Sequence, residues 1–184
     1  MAEPSLQLGI DSGANPRLAT LMGELEVARR FTRSIVRDLS AEDLAKEPAQ
    51  GKNSIGAVLS HLVAAEALMR RVTTGVPPFP ADSEEEGRAF QFAGDPLAGS
   101  DLSAYLDALE EARAKTKVLF ADKDDAWLDT PRTFLGNPAN YHYYWFHLLL
   151  DEGRHQGQII LLRKYLIAGA DAGFDPYAGL AAAT

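Results

Sequence analysis

The sequence predicts an all-α protein, an up-and-down four-helix bundle with long inter-helix loops. Three observations carry that expectation. Apolar residues recur at three-and-four spacing over four long stretches, cap signals bound those stretches, and no alternating pattern of any length marks a strand. With 184 residues the chain suffices for one full core and is short for two. One helical domain is therefore expected over 15–168, between a flexible N-terminus at 1–14 and a C-terminal tail at 169–184.

Residues 1–14 mix Gly, Pro, Ser and Asp without a period. Asn15 and Pro16 then suit an N-cap and a first helical position. Leu18, Leu21, Leu25, Phe31, Ile35 and Leu39 trace an amphipathic helix over 16–39, with Arg29, Arg30, Arg33 and Arg37 largely off its apolar face. Ser40 with Asp43 reads as a capping signal for a short helical turn that ends before Pro48. Ser54 caps the next helix, whose stripe includes Ile55, Val58, Leu62, Ala65 and Met69 and which stops at Gly75.

From Gly75 to Ser100 the chain is rich in Pro, Gly and acid, so it reads as a long excursion rather than a packed element, and as a candidate lid. Its DSEEEG run reads as solvated loop. Leu102, Tyr105, Leu109, Ala112 and Phe120 restore the helical period, with acids early and lysines late to match the helix dipole. Residues 121–137 are rich in turn formers and suit a connection with a short turn or extended piece. A last helix runs from about Asn140 to about Ala168, with Gly169 as its stop.

Composition removes several classes of function. The net charge of -8 and a pI near 5.0 oppose a phosphate backbone, so nucleic acid is not an expected partner. The longest apolar runs fall short of a bilayer span, and the opening MAEPSLQLGIDSGANP has no basic region followed by an apolar core. A cytoplasmic protein with a small-molecule substrate is expected. The chain has no cysteine, so any metal must be held by His, Asp, Glu or water, and any thiol must arrive with a cosubstrate.

Chemistry concentrates on the last helix, YHYYWFHLLLDEGRHQGQIILLRKY, which holds His142, His147 and His155 of the 4 histidines. His147, Asp151 and His155 recur every fourth residue and share one helix face. Neighbours four apart rise about 6 Å and the outer pair about 12 Å, so all three cannot bind one ion. The choice lies between His147 with Asp151 and Asp151 with His155, completed from elsewhere. His61, set among Leu59, Leu62 and Val63, is the candidate for that third ligand. An all-nitrogen-and-oxygen set with an open position suits zinc, nickel, iron or manganese. The plainer reading is a hydrogen bond between a histidine and an aspartate in the core.

Other residues have plainer expectations. Tyr144 and its aromatic neighbours could wall a pocket mouth or be core, and His147 could line the pocket. Gly153 and Gly157 suggest a close helix contact, because glycine inside a helix costs roughly 1 kcal/mol against alanine. Glu66 and Glu152 are candidates for a base and Arg154 and Arg163 for anion binding, but all four read more plainly as charges on helix surfaces.

At these residues the chain resembles the DinB/YfiT-like superfamily of metal-dependent proteins. The stretch KNSIGAVLSHLVAAE is similar to that family's Ser-Ile-Gly followed by a first ligand histidine, here His61. HLLLDEGRHQGQI is similar to its His-x-x-x-His followed by Gly and Gln, matched here by Asp151, His155, Gly157 and Gln158. The middle ligand departs from the pattern, with Asp151 where histidine is usual. The resemblance spans about 15–168 and implies a four-helix bundle, a homodimer and a divalent metal held by His61, Asp151 and His155. It further implies an S-transferase acting on a low-molecular-weight thiol, with a metal-dependent hydrolase or a non-catalytic ligand-binding bundle as the alternatives.

Overall fold

A computed structural model describes residues 14–77, 79 and 84–167, with Leu8 and Asp175. The sequence-predicted loose start and tail fall almost wholly outside the described residues. The fold is mostly helical, with α1 (Pro16–Val36), α2 (Ala41–Ala45), α3 (Ile55–Thr73), α4 (Glu84–Phe90), α5 (Leu102–Ala121) and α6 (Tyr141–Leu166). A 3₁₀ turn at Asp125–Asp129 leads into strands β1 (Pro131–Phe134) and β2 (Asn137–Asn140). These strands pair antiparallel with Pro131 opposite Asn140 and Phe134 opposite Asn137. Their two-residue turn places Leu135 and Gly136 at φ of 49° and 81°, as a hairpin matching the strand twist requires. The all-helical expectation is corrected to that extent.

Caps bear out the helix starts with one change. Ser40 and Asp43 form the reciprocal capping box, and Ser54 and Asn140 accept from Ala57 and Tyr143 backbone N–H. Asn15 makes no such bond. Instead the Asp125 carboxylate accepts from the N–H groups of Arg17 at 3.0 Å and Leu18 at 2.9 Å, so α1 is capped from a distant turn.

The core has two apolar ends. One gathers Ile35, Ile55, Leu62, Leu109 and Ile159, and the other gathers Leu25, Met69, Phe120, Trp145 and Leu148. Following each long helix from end to end gives the chain direction. α1 and α6 run from the second cluster to the first, whereas α3 and α5 both run from the first to the second. The order is thus up, down, down, up, which corrects the up-and-down expectation. The parallel neighbours α3 and α5 require a connection that returns along the whole fold, and this explains the length of the Gly75–Ser100 segment.

Between the apolar ends lies a buried polar layer. Arg29 Nε donates to Glu152 at 2.8 Å, and its Nη2 donates to Glu66 at 2.9 Å. Arg113 Nε donates to Glu66 at 2.8 Å, while Thr116 and Thr32 hydroxyls donate to Glu66 and Glu152 at 2.6 and 2.7 Å. Two cations and two anions meet with no solvent exposure of either carboxylate, which satisfies the requirement that buried charge be paired and hydrogen-bonded. Glu66 and Glu152 are therefore core ion-pair partners rather than solvated surface groups. Arg163 is likewise buried, with Nη1 donating to Asp38 at 2.6 Å and to the Ile35 carbonyl at 3.0 Å. Gly153 and Gly157 do not serve a close contact with any described residue, since a Cβ at either position would meet none within 4 Å.

Candidate metal centre

The antiparallel packing of α3 against α6 sets His61 opposite Asp151 and His155. His61 Nε2 lies 3.1 Å from Asp151 Oδ2, and His155 Nε2 lies 3.7 Å from Asp151 Oδ1. One donor atom from each of the three residues falls within 4.8 Å of the others. His61 is buried, and Asp151 and His155 are half-buried. Of the pairings the sequence left open, the structure gathers Asp151 with His155 and sets His147 outside the cluster.

The partners of the imidazoles decide what those donors offer. His61 Nδ1 lies 2.7 Å from the Phe90 carbonyl oxygen, which can only accept, so the proton of a neutral ring sits on Nδ1. His155 Nδ1 lies 2.9 Å from Gln158 Oε1 and is oriented in the same way. His61 Nε2 is then turned toward Asp151 Oδ2 at hydrogen-bond distance, and His155 Nε2 stands 3.7 Å from Oδ1. Three converging lone-pair donors suit a cation, and bonds of about 2.1 Å in tetrahedral arrangement would separate donors by about 3.4 Å. The 3.1 Å from His61 Nε2 to Asp151 Oδ2 is near that value, and the full set of three donors spans no more than 4.8 Å. Burial pushes the Asp151 carboxyl up, but its contact with His61 and the nearby His155 and Arg154 outweigh burial and hold it below the usual range. Burial lowers His155, which favours the neutral ring that ligation needs.

The segment read as a long excursion and candidate lid supplies part of this site, including a helix where its acidic run was expected to be solvated loop. α4 packs against α3, and it ends at Phe90, whose ring stacks on His61 at 5.3 Å between centroids. Phe92 stacks closer, at 4.1 Å. A latch holds this segment down. Asp95 accepts from the Ser60 hydroxyl at 2.6 Å, the Leu97 N–H at 3.0 Å and the Tyr105 hydroxyl at 2.7 Å. The latch closes directly over Gly56, where a Cβ would stand 2.7 Å from the Tyr105 hydroxyl oxygen and 2.9 Å from Asp95 Oδ2. The glycine of the Ser-Ile-Gly motif is explained by that approach, and neither Asp95 nor Tyr105 carried a signal of it in sequence.

Beside the cluster opens a cleft of about 350 Å³, lined in part by His61 and Asp151, with walls drawn from α3, α4, the hairpin and α6. His147 and Tyr144 both line it. Tyr144 is fixed by donating its hydroxyl to the Thr133 carbonyl at 2.7 Å, which ties α6 to β1. Burial also lowers His147, which favours its neutral form. His142 stands elsewhere, 3.4 Å from Arg17 in the group that caps α1. Arg154 is exposed and pairs with Asp151 Oδ1.

The sequence profile of the mycothiol S-transferase family matches residues 20–168. The structure is similar to the crystal structure of a DinB-like protein from Bacillus cereus, with a TM-score of 0.57 and 22% identity over 77% of this chain and 89% of that one. At that identity the likeness speaks to the fold. Among curated proteins no significant match is found. The family match covers four-fifths of the chain and includes every residue of the cluster, so the chain belongs to the mycothiol S-transferase family of the DinB/YfiT-like superfamily.

Proposed function

We propose that the chain is a metal-dependent thiol S-transferase in which His61, Asp151 and His155 hold a divalent cation of the zinc, nickel, iron or manganese class. Its thiol is of the low-molecular-weight kind for which the family is named. The observation that carries this reading is the gathering of one donor atom each from His61, Asp151 and His155 beside a largely apolar cleft that His61 and Asp151 line. When bound, the cation supplies positive charge that favours the deprotonated form of a thiol brought to it.

The chain's own residues do the remaining work. The Phe90 carbonyl and Gln158 fix which nitrogen of each imidazole faces inward. The Phe90 and Phe92 rings shield His61 from water. With no cysteine in the chain, the sulfur comes from the cosubstrate. On this reading the four long helices form a bundle whose polar layer holds α3 and α6 rigid beneath the site. The transfer joins thiol sulfur to an electrophilic carbon, and the thiol proton leaves with the departing group or is taken up by the product.

The test is conjugation of mycothiol to monobromobimane by zinc-reconstituted protein, followed by fluorescence. The expected result is a rate well above buffer that falls to background in His61→Ala and Asp151→Ala. A wild-type rate equal to buffer, together with hydrolysis of an activated ester by the same preparation, would instead assign the site to water chemistry.

A further inference from the structure

The cleft beside the cluster is walled largely by hydrocarbon, from Leu68, Met69, Phe90, Phe134, Leu135 and Leu148. Leu135 sits at the hairpin tip, 87% exposed and held at positive φ, an arrangement that spends an apolar side chain on the rim of the opening. The polar groups of the wall are few. His61 and Asp151 belong to the cluster, and the Tyr144 hydroxyl is already committed to the Thr133 carbonyl.

His147 differs from all of these. Its ring lies 4.7 Å from Phe134 and 6.1 Å from Tyr143 between centroids, and neither of its nitrogens makes a hydrogen bond with a described residue. It stands one helical turn from Asp151, a rise of about 6 Å. A ligand whose reacting carbon lies in the cleft between the cluster and His147 would bring the oxygen bonded to, or conjugated with, that carbon toward His147. A polar ring against apolar walls is best satisfied by the occupant of the cleft.

Resting on the S-transfer reading, we propose that this cleft holds the electrophile. It is an apolar epoxide or conjugated carbonyl compound, and His147 donates an N–H hydrogen bond to the oxygen on which negative charge develops. In the epoxide case a sulfur–carbon bond forms, a carbon–oxygen bond breaks, and the electron pair goes to oxygen. In the conjugated carbonyl the carbon–carbon π pair shifts toward oxygen instead. The proton given up by the thiol reaches the adduct through water, so the thiol adds across the substrate and no outside oxidant or reductant is needed. Displacement of a halide leaves no such oxygen; the electron pair goes to chloride, a diffuse and weaker hydrogen-bond acceptor, so an N–H at His147 gains much less there. An imidazole N–H aimed at a developing oxyanion in a water-poor cleft acts as the donor of an oxyanion hole does, where loss of one donor costs about 100-fold or more in kcat.

The experiment compares styrene oxide with benzyl chloride, two aryl electrophiles of similar size, each conjugated to mycothiol by zinc-reconstituted protein. The expected result is a ratio of kcat/KM values, epoxide over halide, that falls at least tenfold in His147→Phe and His147→Ala, with the loss in kcat. His147→Gln, which keeps an N–H donor, recovers much of that ratio. An unchanged ratio in whichever of the Phe and Ala variants folds, or a Gln variant no better than they are, overturns the proposal while the S-transfer reading stands. A wild type that conjugates neither electrophile removes the S-transfer reading and this proposal with it.

Discussion

Glu66→Gln is the substitution that most directly probes how the site is held. Glu66 is fully buried and accepts hydrogen bonds from Arg29, Arg113 and Thr116. Glutamine preserves the volume but sets an amide NH2 against guanidinium N–H groups, and it changes the layer from two cations with two anions to two cations with one. Breaking a buried, hydrogen-bonded ion network by removing one partner costs about 3–5 kcal/mol, because charge is left uncompensated in low dielectric. For a chain of this size each kcal/mol shifts the midpoint by about 2–4 °C, so a fall of about 10 °C is expected in thermal unfolding followed by circular dichroism. A fall below about 2 °C would mean that water reaches the layer, and would refute its role as the rigid centre between the apolar ends.

Other outcomes follow from the same structure. Gly153→Ala and Gly157→Ala each place a methyl group in open space on α6, so each should stabilise by about 1 kcal/mol and raise the unfolding midpoint; destabilisation would indicate a partner seated on that face. Gly56→Ala forces a methyl group into the Asp95–Tyr105 latch, with a cost of about 1–3 kcal/mol and weaker zinc retention against a chelator; unchanged retention would uncouple the latch from His61. Acid unfolding has a stated window. Burial works to raise the Glu66 carboxyl, but Arg29 and Arg113 outweigh it and hold it at about 2 against an ordinary 4.5. A depressed carboxylate contributes stability that is complete above 4.5 and is lost as pH falls toward 2, here about 3 kcal/mol. Denaturant midpoints that do not decline over that interval would contradict the pairing.

Much of this was legible in sequence, and the exceptions have physical causes. The four long helices follow from three-and-four spacing, and the helix face of His147, Asp151 and His155 with the isolated His61 was legible, although spacing left open which histidine accompanies Asp151 and only the family resemblance named His155. The direction of the helices was not legible, because periodicity says nothing about which end of α5 meets which end of α3. The polar layer was missed although a signal exists. Arg29, Glu66, Arg113 and Glu152 each continue the apolar stripe of their helix, as in Leu62, Glu66 and Met69 at four and three residues apart, and two of each sign stand at the same depth. The α4 contribution was hidden because its run of glutamates is polar and a single backbone carbonyl does the orienting. No side-chain pattern encodes that.

The central claim is that His61, Asp151 and His155 hold one divalent cation, and elemental analysis of untagged protein tests it most directly. The measurement sets wild type beside Asp151→Ala and His155→Ala after identical exposure to zinc, nickel, iron and manganese and removal of unbound metal. The account predicts close to one equivalent of a single metal in wild type and its loss in both variants, with all three proteins folded. Wild type that retains no metal, or variants that retain as much as wild type, would contradict it.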